Sequence, residues 1–150
     1  MSDLITLEEL IEEFQDVEDK MERLEMVFEL AEEVDFLELE FWNDLTRVRG
    51  CQSEAHILVS IENEVVKLKA GADSKLVQGL MGILTIALRD ISPSKALELT
   101  PDFAGEMGVL TSLSPSRSNG FRNMFDKVMN EIQNKMWVLK WAIKKRYLRN

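Results

Sequence analysis

The sequence predicts an α+β domain, a small antiparallel β-sheet packed against several α-helices. Three observations lead there. Apolar residues recur at helical spacing on both sides of residues 55–69, and within that stretch they alternate at the period of a strand. No strand–helix–strand repeat indicates a parallel sheet. With 150 residues, 45% apolar and 30% charged, the chain has the size and composition of one folding unit.

Thr6-Leu7-Glu8-Glu9 has the form of a capping box, so a helix starts there, carried by Leu7, Leu10, Ile11, Phe14 and Val17. A second amphipathic stripe follows in Met21, Leu24, Val27, Phe28, Ala31 and Val34. The acidic residues on the outer faces of both helices read as solvated surface, and their spacing lacks the glycine turn and alternating ligands of a calcium loop. From Ala55 to Ile61 and from Val65 to Lys69 the alternation is that of two strands of a hairpin. The turn between them is neither Asn-Gly nor Asp-Gly, which leaves the register open.

Asp73 is placed to cap a helix whose body, Leu76 to Leu88, is apolar on nearly every side and therefore central. Gly79 and Gly82 share one face of it, and a close approach of the sheet would account for them. Ser92-Pro93 and Thr100-Pro101 each set a hydroxyl cap before proline, predicting two short helices. Ser114-Pro115 repeats the device ahead of the stripe Phe121, Met124, Phe125, Val128 and Ile132, in a last helix that runs almost to Asn150. The reading is one domain over residues 1–135 with a basic helical extension over 136–150.

The net charge of −9 and pI near 4.7 argue against a nucleic-acid binder, which needs a basic face. The average conceals a gradient: residues 1–44 carry 17 acidic against 2 basic side chains, and residues 117–150 carry 2 against 9. No apolar run is long enough to span a bilayer and the acidic start lacks the pattern of a signal peptide, which predicts a soluble protein of the cytoplasm or an equivalent organelle interior. One cysteine and one histidine, Cys51 and His56, allow neither an internal disulfide nor a zinc site built from Cys and His.

Cys51 stands in Arg47-Val48-Arg49-Gly50-Cys51-Gln52-Ser53, the segment joining the acidic helices to the first strand. A lone intracellular cysteine is most often a small buried hydrophobe. Here the neighbours oppose that reading, because Gly50, Gln52, Arg49 and Ser53 form no apolar stripe. Two arginines turned toward the sulfur would favour the thiolate over a thiol of ordinary pKa ~8.5, and Gly50 lets the backbone adopt angles closed to other residues.

With the segment Leu113-Ser114-Pro115-Ser116-Arg117-Ser118-Asn119-Gly120, and Asp73-Ser74-Lys75-Leu76-Val77-Gln78-Gly79-Leu80 between, the sequence resembles the SufE family of sulfur acceptors over residues 6 to 135. The resemblance implies a SufE/NifU-like fold with the acceptor cysteine on a loop. It implies that Cys51 takes a persulfide from a cysteine desulfurase of the SufS or CsdA type, stimulating it, and passes the sulfur to an iron–sulfur scaffold or another acceptor. The protein would then be a sulfur carrier rather than a stand-alone turnover enzyme, with no cofactor or metal of its own and pyridoxal phosphate on the partner. Arg49, Gly50, Gln52, Asp73 and Arg117 become supporting or docking residues. Ser112 departs from a histidine common in related sequences and His56 from a tryptophan, which bears on partner fit.

Two rivals have different signatures. A Cys–His hydrolase would need Cys51 and His56 in contact, but five residues of extended chain span about 16 Å and odd spacing sends the side chains to opposite faces. A regulatory binding module would dock through the cysteine loop or through the C-terminal helix, where Trp137 and Trp141 precede Lys140, Lys144, Lys145, Arg146 and Arg149 in an aromatic, basic stretch. The simpler reading of that stretch is cations at a helix C-terminus and tryptophans covering core surface, with the acidic N-terminal helices as an intramolecular partner.

Overall fold

The computed structural model describes residues 4–148. Thr6 opens the first helix, α1 (Leu7–Gln15), with a complete capping box: its hydroxyl accepts from the Glu9 amide at 3.2 Å and the Glu9 carboxylate accepts from the Thr6 amide. Leu10 and Phe14 bury the inner face. Asp19 caps α2 (Lys20–Glu29), which ends sooner than its apolar stripe predicts. From Leu30 to Glu33 the chain tightens into a 3₁₀ turn, and Met21 and Phe28 stay exposed. A second 3₁₀ turn covers Leu39–Phe41.

Strands β1 (Ala55–Glu62) and β2 (Val65–Ala72) form an antiparallel hairpin, with Ala55 opposite Ala72 and Glu62 opposite Val65. Its two-residue turn, Asn63-Glu64, has φ of 52° and 66°, the doubly left-handed geometry that matches the twist of the strands. Asn63 tolerates that region, and Glu64 adopts it as the second central residue of a type I′ turn. Both free edges are partly covered. Segment 46–48 bonds along β1 through Val48 N to Ala55 O and Ile57 N to Thr46 O, while Leu37 and Asp35 bond to Ala70 on β2. Exposed edge amides are thereby reduced.

The central helix α3 (Lys75–Leu88) is buried along most of its length and packs on α2, on the first 3₁₀ turn, on β2 and on the last helix, α7 (Pro115–Leu148). Two expectations are corrected here. Ser74, and not Asp73, is its N-cap, accepting from the Val77 amide at 3.4 Å. The neighbour that Gly79 and Gly82 admit is the backbone of α2 and its 3₁₀ extension rather than the sheet: added Cβ atoms would collide with the carbonyls of Val27 and Leu30.

Short helices α4 (Pro93–Ala96), α5 (Asp102–Glu106) and α6 (Val109–Ser112) lead from α3 to α7. Ser92 caps α4 as its sequence requires and α5 begins after Pro101, whereas α6 follows Gly108 with no hydroxyl cap to announce it. Through Ile132 the stripe of α7 is buried against β1 and α3. The helix then continues without interruption through residue 136. Trp137 and Trp141 are 67% and 51% exposed, so they do not cover core surface, and none of the ion pairs among the described residues joins this tail to the acidic helices. Arg149 lies outside the described residues.

Candidate functional site

Val48 and Ala55 are paired, so residues 49–54 make a tight reversal between the short edge segment and β1, and Cys51 sits on it. Gly50 takes φ of +76°, a left-handed turn that glycine adopts without strain. One face of α7 closes over the reversal. Arg117 Nη1 donates to Ser53 Oγ at 2.7 Å, and Asn123 Nδ2 donates to the Gly50 carbonyl at 3.1 Å. Between them lies Gly120, where an added Cβ would stand 3.6 Å from Cys51 Sγ. Positions 117, 120 and 123 recur every three residues, one helical face against one loop. Further along, Lys127 Nζ bonds the Leu45 carbonyl at 2.9 Å.

Cys51 is partly exposed, resting its side chain against the core, and Gln52 beside it is exposed. The two arginines of its motif have polar surroundings. Arg47 lies 3.9 Å from the Glu54 carboxylate, and both arginines line a polar cleft with Asn123 and Asp126. Asp73 supports the loop from the other side: its carboxylate accepts from the Glu54 amide at 3.1 Å and its own amide bonds the Glu54 carbonyl at 3.0 Å. The pair extends the hairpin ladder by one step.

Below the reversal, His56 is buried with both ring nitrogens engaged, Nδ1 with Thr46 Oγ1 at 2.8 Å and Nε2 with Glu54 Oε1 at 2.7 Å, and its ring stacks on Trp42. A carboxylate only accepts, so Nε2 carries a proton. The His56 hydrogen bond holds the Glu54 carboxyl below the usual carboxylate range; partial desolvation opposes this, and the charges of Arg47 and His56 add to it. With both nitrogens committed, His56 offers no base to Cys51, and the hydrolase reading loses its dyad. Ser112 is buried and donates to the Gly108 carbonyl at 2.8 Å, a structural bond inside the fold. Sequence reasoning passes over Asn123 and Glu54. Asn123 could have been found from that same helix start at Pro115, because spacing of three residues aligns it with Arg117 and Gly120.

Fold and site define an α+β domain that presents one cysteine on a reversal clamped to its longest helix. The SufE model, described as an Fe-S metabolism associated domain, matches residues 8–132, and the chain belongs to the SufE family. A SufE-like protein of Synechocystis sp. is 34% identical over 119 residues, spanning 79% of this chain and 75% of that one. SufE-like protein 1, chloroplastic/mitochondrial, of Arabidopsis thaliana is 33% identical over 119 residues, which are 79% of this chain and 32% of the longer plant protein. The solution structure of a hypothetical protein from Thermus thermophilus shares the fold, with a TM-score of 0.74 at 22% identity, covering 87% of this chain and 95% of that one. Membership assigns the chain broadly to iron–sulfur metabolism and sulfur transfer, with a cysteine desulfurase as the family's general partner. No described helix is long and apolar enough to cross a membrane.

Proposed function

We propose that Cys51 accepts a persulfide sulfur from a cysteine desulfurase and hands it on toward iron–sulfur cluster assembly. The observation that carries this reading is the placement of the chain's sole cysteine on a reversal that α7 holds at both shoulders, through Arg117 on Ser53 and Asn123 on Gly50. The Cys51 thiolate attacks the terminal sulfur of the donor persulfide. An S–S bond forms on Cys51 as the donor's S–S bond breaks, and the donor cysteine leaves as a thiolate. The Cys51 proton goes to solvent, and no external oxidant or reductant is consumed. The resulting persulfide is a reversible cap that a second acceptor thiol discharges by the same exchange.

In this reading Arg117, Asn123 and Asp73 are positioning residues that hold the reversal, while Arg49, Gly50 and Gln52 form the rim a desulfurase meets. Pyridoxal phosphate belongs to that partner. The working compartment is wherever the desulfurase resides, the cytoplasm or an organelle interior. The test is intact-mass spectrometry after incubation with desulfurase, cysteine and pyridoxal phosphate. Wild-type protein gains one sulfur, and Cys51→Ser, folded by circular dichroism, gains none. A wild-type chain left unmodified by every desulfurase of its own cell refutes the proposal.

A further inference from the structure

The tail of α7 beyond Met136 projects about 18 Å at 1.5 Å rise per residue. It holds two apolar faces on opposite sides. Leu139, Ile143 and Tyr147 prolong the stripe that is buried earlier in the helix, and all three are exposed. Trp137 and Trp141 stand on the other side, where with Lys140 and Lys144 they enclose a notch of about 220 Å³. Lys145 Nζ lies 4.7 Å from the Trp141 ring centroid. From 136 to 148 the tail carries Lys140, Lys144, Lys145 and Arg146 and no acidic residue.

The opposite chemistry lies on the same chain. Segment 35–41 flanks the edge of β2 and carries Asp35, Glu38 and Glu40 among exposed Phe36, Leu39 and Phe41. Leu39, 66% exposed between two glutamates, is an apolar knob with carboxylates on either side. Beside it opens a cleft of about 380 Å³ with Phe41 and Leu58 in its wall; Asp35, Glu38 and Glu62 line it together with Lys67 and Lys69. No described residue of the chain's own tail lines this cleft.

We propose that the basic tryptophan tail of one copy seats on the acidic 35–41 edge of a second copy, so that the protein self-associates tail to edge. The match is one of charge and of apolar surface together: a carboxylate-flanked knob for a lysine-flanked notch. Other occupants fit less well. Two tails side by side set four cations against four with no acid between them. A lipid surface takes a helix with one apolar face, whereas this tail has two, and the chain it belongs to carries a net charge of −9. Exchange of tails between two copies closes the contact into a symmetric dimer.

The proposal does not rest on sulfur transfer, and Cys51→Ser associates as the wild type does. Sedimentation velocity of the full chain under reducing conditions, from low micromolar to a few hundred micromolar, reads it directly. Association rises with concentration and weakens with salt. Lys140→Glu with Lys144→Glu, and separately Glu38→Lys with Glu40→Lys, each weaken it by about tenfold or more. An equimolar mixture of the two variants restores it, because each reversed tail now matches a reversed edge. A wild-type monomer over the whole range overturns the proposal, as does association that the edge variant leaves unchanged. Tail variants that lose the cooperative melt show instead that the tail belongs to the fold, which also overturns it. Flotation with anionic vesicles gives the last outcome: capture of monomer, indifferent to Glu38→Lys, assigns the tail to lipid and overturns it.

Discussion

Replacing Gly50 by alanine tests the clamp on the cysteine loop quantitatively. At φ of +76° an L-residue is strained by roughly 1–2 kcal/mol. The new Cβ would also collide with the Asn123 side-chain amide, which must swing away and release the Gly50 carbonyl. Loss of that bond near solvent costs about 0.5–1 kcal/mol. Gly50→Ala is therefore expected to lose about 2 kcal/mol, roughly 4–8 °C in melting temperature for a domain of this size. Asn123→Ala alone loses about 0.5–1 kcal/mol. In the Gly50→Ala background the second substitution costs nothing further, since the contact is already broken. Urea titration of the four proteins gives the coupling, and persulfide loading of Cys51 should fall in parallel. Single effects that add to within about 0.3 kcal/mol refute the reasoning, because additivity means that Gly50 and Asn123 share no contact.

Gly79→Ala drives a Cβ into the Val27 carbonyl, a backbone atom that cannot rotate away, and is expected to cost about 3 kcal/mol, the upper range for overpacking. Gly105→Ala, with nothing within 4 Å, is the control; equal denaturation midpoints for the two would show that α2 does not approach α3 as described. The Glu54 carboxyl, held below its ordinary range by His56, contributes stability that is complete above the unfolded carboxylate pKa and is lost as pH falls through its folded value. Thermal melts from neutral pH into the acid range should therefore separate wild type from Glu54→Gln at neutral pH and bring them together on acidification. A difference that stays constant with pH would remove Glu54 as the cause.

Local chemistry was legible residue by residue. Thr6 with Glu9, Ser92 with Pro93, and the alternation of Ala55 to Ile61 name elements whose hydrogen bonds close within a few positions, so their partners lie inside the same short window. The failures share a different cause. Asp73 and Ser74 are both competent caps, and the choice between them depends on Glu54, nineteen residues away, whose amide engages the Asp73 carboxylate. Gly79 and Gly82 record that something comes close without recording what. Arg47 and Arg49 stand near Cys51 in sequence, yet their polar partners, Glu54 for Arg47 and the cleft beside Asn123 for both, come from the fold.

The α+β class, the hairpin, the central apolar helix and the family, through its cysteine and Ser-Pro-Ser-Arg segments, all follow from the order of residues alone. Patterning, capping and motif identity are properties of neighbouring residues, so they survive without coordinates. Which side chains hold Cys51 in place depends instead on the folded arrangement. Arg117 and Asn123 lie 64 and 73 residues from the groups they bind, and one face of a long helix brings them to the loop. The same arrangement leaves the tail tryptophans standing free. Whether an apolar residue is covered depends on where a helix outruns the body it packs on, which no local pattern records.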